Sequence, residues 1–181
     1  MSSTRHPQTG FSLLELVITL AISAILVGMA MPSLQSFMGD SEMTATSNEF
    51  VYALQTARSE AIKRARPVGM CPSRNSMTVT PSCTGADYAG GWIVFVDTDG
   101  NGSRDADDEV LLQAEPRSTA FSFTADTVFA QRVYFGEAGS SINPAGVPLS
   151  GTIDISRAGN AEQRTIRVAA NGRITTKPAG S

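Results

Sequence analysis

The chain opens on ten polar residues, MSSTRHPQTG, and then turns apolar from Phe11 to Met31, FSLLELVITLAISAILVGMAM. About twenty residues at 1.5 Å each span roughly 30 Å, the depth of a bilayer core, so the run predicts a membrane-length helix. Glu15 is its only charge. A carboxylate there costs several kcal/mol unless a cation meets it. Gly28 and Pro32 weaken the helix where the run ends. The stretch TSNE, Thr46 to Glu49, has the form of a capping box and predicts a local restart. Phe50, Leu54, Ala57 and Ala61 then recur at helical spacing, with Val51, Ala53 and Ile62 alongside, which predicts a stripe that packs on the rest of the chain. Pro67 disfavours helix at Arg66 and closes the element.

After Pro67 the period changes to short runs between turn residues. The predicted strands are 68–71, 77–80, 91–97, 109–114, 120–123, 132–135, 151–156, 164–169 and 173–176. Asn171-Gly172 is a hairpin signal between the last two. The fold class is therefore α+β: a long N-terminal helix, half of it amphipathic, on antiparallel sheets or a sandwich.

Composition narrows the chemistry. Net charge is −3, which provides no global basic footprint for nucleic acid. Arg58, Lys63, Arg64 and Arg66 gather near the helix end, without interleaved aromatics, and read as cations complementing the helix C-terminus. The single histidine, His6, leaves no basis for a multi-histidine metal site or for histidine catalysis. No nucleophile elbow, P-loop or paired-acid constellation stands out, so the chain reads as structural and interactive, not as an enzyme. Cys71 and Cys83 are the only cysteines. Free thiols, a redox pair and a disulfide are all open to two cysteines, although the spacing is too wide for CxxC. Export would favour the disulfide.

GFSLLE followed by LVITLAISAILVGMAMP resembles the prepilin signature of type IV pilins and type II secretion pseudopilins. The resemblance implies cleavage by a prepilin peptidase between Gly10 and Phe11, and N-methylation of Phe11. Glu15 becomes the fifth residue of the mature chain, where the family's acid meets the N-terminal amine of a neighbouring subunit. The implied organisation is a leader at 1–10, a transmembrane and assembly helix at 11–31, an amphipathic continuation at 32–66 and a β-rich periplasmic head at 67–181. The chain would sit in the inner membrane with a single pass, engage the assembly platform, and then enter a surface filament.

The head narrows the likeness. RPVGMCPS, then Cys83, GGWIVFVDTDGNG and NGRITT look like the FimT, FimU and GspH group. A FimU-like role implies a minor pilin near the tip that helps prime assembly beside other minor pilins and the major pilin. A FimT-like role implies DNA binding for natural transformation. That group's motif, Gly-Arg, any residue, Arg, meets Gly172, Arg173, Ile174 and Thr175 here, so its second arginine is missing. Arg164, Arg167 and Lys177 are the other candidate DNA contacts, since phosphate contacts add through counterion release. A GspH-like role implies a type II secretion pseudopilin. The cysteine pair and the CPS stretch favour the pilus side.

The segment DTDGNGSRDADD, Asp97 to Asp108, is the remaining site-like stretch. Asp97, Asp99, Asn101, Ser103 and Asp105 fall at EF-hand loop positions, with Asp108 where the bidentate glutamate belongs. Ca²⁺ is one reading. The other is a hairpin tip rich in Asx turns, because the flanks read as strands and Glu109 comes one residue late. No cofactor is otherwise expected.

Overall fold

The structure, a computed structural model, describes residues 12–159 and 162–178, with the side chains of all of these except 30–36. Its contacts divide it into two compact units, Met1–Gly39 and Asp40–Ser181. The first element, α1, is the helix Leu13–Arg64. Its backbone stays helical through Gly28, Pro32 and Thr46–Glu49, so neither the weakening nor the restart interrupts it. The capping-box reading fails for a packing reason. Thr46 and Ser47 are buried, and the Ser47 hydroxyl donates to Met43 Sδ at 3.9 Å within the helix.

Eight strands follow: β1 Val68–Pro72, β2 Trp92–Val96, β3 Val110–Ala114, β4 Phe121–Ala125, β5 Val133–Phe135, β6 Gly151–Arg157, β7 Arg164–Val168 and β8 Ile174–Pro178. They form two antiparallel sheets, in the orders β3-β2-β1-β5 and β4-β6-β7-β8. The helix stripe is the core of this unit. Phe50, Ala53, Leu54, Ala57 and Ala61 are fully buried, joined by Met43 one side and Val51 in part. Ile62 is not in it and lies half exposed. Phe50 is the hub. Its ring meets Tyr88 and Trp92 edge-on at 5.1 Å each and Phe123 at 5.4 Å, so one side chain joins α1 to β2 and to β4. Edge-to-face pairs of this kind add about 1 kcal/mol beyond burial.

In the first sheet β1, β2 and β5 are buried on both faces, and the edge strand β3 only in part. Trp92, Val94 and Val96 face the main core, whereas Ile93 and Phe95 join Cys71 in a second cluster with Cys83 and Val110 against it. Cys71 and Cys83 are disulfide-bonded. The bridge holds the 72–91 connection against the outer face of β1, where the Gly85 amide donates to the Pro72 carbonyl at 3.1 Å. The second sheet alternates instead. Ile153, Ile155, Ile166 and Val168 are buried, and the residues between them face outward.

One predicted strand does not form. Residues 77–80 are turn, with Met77 and Val79 exposed. Asn75 organises the segment. Its Oδ1 accepts from the Ser82 amide at 3.0 Å and from Ser73 Oγ at 3.1 Å, and its carbonyl accepts from the Thr78 amide at 3.0 Å. Local side-chain bonds won because the alternating pattern had no face to bury. The Asn171-Gly172 hairpin does form: the Gly172 amide donates to the Ala169 carbonyl at 2.7 Å, and Gly172 has φ +76°.

Candidate functional site

The N-terminal stretch is an apolar rod. From Leu13 to Met29 its large apolar side chains are each at least 49% exposed, around the whole circumference. Glu15 stands in the first turn of α1 and is exposed. A carboxylate is favoured there by the unpaired amides of the helix start. Among the described residues no helix is long and apolar enough to cross a membrane. Gly10 and Phe11 lie outside the described residues.

At its other end α1 stops in a Schellman arrangement. The Arg66 amide donates to the Ala61 carbonyl at 3.3 Å and the Ala65 amide to Ile62 at 3.4 Å, with Ala65 at φ +47°. The basic cluster near this end does more than complement the helix dipole. Arg64 bonds Glu60 at 2.6 Å and Glu109 at 2.5 Å. Hydrogen bonds from Arg64 first, and Lys63 second, hold the Glu60 carboxyl below its ordinary range. Arg66 donates to the Thr98 carbonyl at 2.9 Å. Arg58 donates from Nε to the Gly139 carbonyl at 3.0 Å and from Nη2 to Asn171 at 3.3 Å, pinning the β7–β8 turn to the helix.

Two further ties escape sequence reasoning. Arg117 bonds Glu49 at 2.6 Å with its guanidinium 4.8 Å over the Trp92 ring. Arg157 bonds Glu42 at 3.0 Å and lies 6.0 Å from the Phe121 ring. Glu42 and Glu49 are seven apart, hence on one helix face. That spacing beside the apolar stripe was the available signal.

The Asp97–Asp108 loop is an Asx network. Asp97 is fully buried; its Oδ1 accepts from the Gly100 amide at 2.8 Å and its Oδ2 from the Gly102 amide at 2.7 Å. Asp108 accepts from the Thr98 amide at 2.8 Å and the Asp105 amide at 3.1 Å. Asp99 accepts from the Asn101 amide at 3.1 Å, and Asn101 in turn accepts from Ser103 at 2.7 Å. Burial raises the Asp97 carboxyl against its two amide bonds, while the Asn101 amide lowers Asp99. Asp97, Asp99, Asn101, Ser103, Asp105 and Asp108, the residues of the calcium reading, all belong to this network. Among the described residues no group of three or more acids, cysteines or histidines could hold a metal ion. These carboxylates point at backbone amides instead, which is what a hairpin tip needs.

The DNA candidates separate. Register puts Arg167 opposite Thr175 and Thr165 opposite Lys177, so Arg167, Lys177 and Arg173 share the outer face of β7–β8 with Thr152, Asp154 and Thr165. Arg164 is on the other face and pairs with Glu162 at 2.5 Å. Arg167, Arg173 and Lys177 are exposed.

Residues 46–172 match the protein family described as Type II transport protein GspH. The chain belongs to that family. Residues 5–31 match the Prokaryotic N-terminal methylation motif. Curated proteins give no match. Among solved structures, the chain is similar to the type IV minor pilin FimU of Pseudomonas aeruginosa, at 18% identity and a TM-score of 0.54, covering 76% of this chain and 94% of that one. It is also similar to the minor pseudopilin EpsH from the type 2 secretion system of Vibrio cholerae, at 13% identity and a TM-score of 0.53, covering 77% and 99%. What these share with the GspH-family chain is the fold, a helix packed on antiparallel sheets. The chain thus joins a GspH-family head to the N-terminal methylation motif, on a fold that FimU and EpsH also have.

Proposed function

We propose that this GspH-family chain is a minor pilin of the type IV pilus, placed near the filament tip, where it helps prime assembly and so serves pilus biogenesis, twitching motility and adhesion. The observation that carries the reading is the contrast within α1. Its N-terminal stretch exposes every large apolar side chain around one acid, and its C-terminal stretch is the core of a compact head. Such a rod needs an apolar surrounding that the chain itself does not supply.

In this reading the prepilin peptidase cuts after Gly10, and Phe11 carries the methylated amine. Residues 11–31 first cross the inner membrane with the head in the periplasm, and then pack among other pilins. Glu15 pairs with the amine of a neighbouring subunit, which removes the cost of a lone buried carboxylate and sets register. Deleting the gene and counting surface pili, with complementation by wild type and by Glu15→Ala, tests it. Wild type restores pili. Glu15→Ala inserts into the membrane but incorporates at least about tenfold less, the equivalent of about 1.4 kcal/mol. Full incorporation of that variant refutes the pairing.

Two other readings have support. The exposed cations Arg167, Arg173 and Lys177 on one face favour a FimT-like, DNA-binding pilin. The family description favours a type II secretion pseudopilin. Normal pili with lost transformation would select the first, and normal pili with lost exoprotein release the second.

A further inference from the structure

The strand β8 closes the second sheet on one side only. The Ala169 amide donates to the Arg173 carbonyl at 2.9 Å, which makes these two a hydrogen-bonded pair. Such pairs alternate along an antiparallel ladder. Thr175 and Lys177 therefore turn their main-chain groups toward β7, opposite Arg167 and Thr165. Ile174 and Thr176 turn theirs outward, and among the described residues neither has a backbone partner on that side. Pro178 has no N–H and ends the open stretch.

Beside this edge runs a groove of about 390 Å³, lined by Gln55, Arg58, Ser59 and Ile62 of α1 and by Arg173 and Ile174. Ile62 and Ile174 supply its apolar part. Arg58 is engaged with two carbonyls. The guanidinium of Arg173 has no hydrogen-bond or ion-pair partner among the described residues, nor do the charged ends of Arg167 and Lys177 on the adjoining face.

We propose that this edge and groove receive an extended acidic segment of a neighbouring pilin subunit as a fifth strand. The two outward N–H and two outward C=O groups of Ile174 and Thr176 pair with its main chain. Its carboxylates meet Arg173 and the cations of the adjoining face, and an apolar side chain enters between Ile62 and Ile174. Charge complementarity selects the acid, and the unpaired main chain selects a polypeptide. Nucleic acid lacks the strand-like amides that the edge would match, and Asp154 on the same face opposes a polyanion.

The inference rests on the chain entering a filament, so its test separates the two. A photoreactive benzophenone amino acid replaces Gln55 in the full-length chain, expressed in its host, and sheared filaments are collected after irradiation. The adduct is expected on a peptide of an adjacent pilin that carries at least two Asp or Glu residues. Thr176→Pro, which deletes one outward N–H, and Arg173→Glu each reduce its yield about tenfold, whereas Thr176→Val does not. Arg173→Glu changes an exposed side chain and keeps the test valid should Thr176→Pro fail to fold. Three results overturn the inference alone, with the chain present in filaments: no adduct, a yield indifferent to both variants, or an adduct removed by nuclease. Absence of the wild-type chain from every filament fraction overturns the proposed function, and the inference with it.

Discussion

Two stretches of α1 carry their apolar residues in different ways and behave oppositely. From Leu13 to Met29 the apolar side chains lie all round the helix and stay exposed. From Met43 to Ala61, Met43, Phe50, Ala53, Leu54, Ala57 and Ala61 form one fully buried stripe, while Tyr52 and, just beyond, Ile62 fall outside it. The lesson is that the distribution of apolar residues around a helix shows what it packs against. A stripe is satisfied by the chain's own sheets. A rod without a polar face is satisfied only by lipid or by other rods.

Substitutions should break the two stretches differently. In Phe50→Ala the hub of the aromatic cluster is lost, and the head is expected to lose about 4 kcal/mol in chemical unfolding of the full chain. Leu20→Ala removes a side chain already 62% exposed and leaves that transition where it was. An equal loss in both variants would abolish the distinction. Within the head, Cys71→Ser with Cys83→Ser is expected to cost about 3 kcal/mol, from the chain entropy of a closure twelve residues apart. Denaturant midpoints of the oxidised wild type and the double variant measure it.

Asp97→Ala orphans the Gly100 and Gly102 amides, and the expected loss is about 2 kcal/mol in the same assay. Asp97→Asn isolates the charge. Because burial raises the folded carboxyl, ionised Asp97 opposes folding above its folded pKa, and the opposition disappears as pH falls through that value. Wild type should therefore gain on the Asn variant between neutral pH and about pH 4. A gap that widens against wild type over that interval would reverse the assignment. The smallest effect belongs to the helix end: Ala65→Gly relieves a left-handed alanine at φ +47° and should add about 1 kcal/mol. A thermal midpoint unmoved or lowered would show that Ala65 is not strained.

The sequence by itself determined the elements whose signal is local. The apolar run, the stripe from Phe50 to Ala61, eight strands and the Asn171-Gly172 turn follow from periodicity and turn chemistry, and they appear as expected. The prepilin-like start is a contiguous motif, so it too was legible, and residues 5–31 match the methylation motif. Tertiary structure alone decided the rest. Residues 77–80 alternate like a strand but found no partner, because Asn75 offered closer hydrogen bonds. The acidic loop has metal-like spacing, yet its carboxylates turned to backbone amides once the hairpin brought them near. Arg164 and Arg167 are three apart in sequence and ended on opposite faces of β7, one paired and one free, because the pleat assigns faces by parity. Glu42 and Glu49 met Arg157 and Arg117 across separations of 115 and 68 residues. No local pattern encodes such pairings, since they exist only when both sheets have closed over one helix.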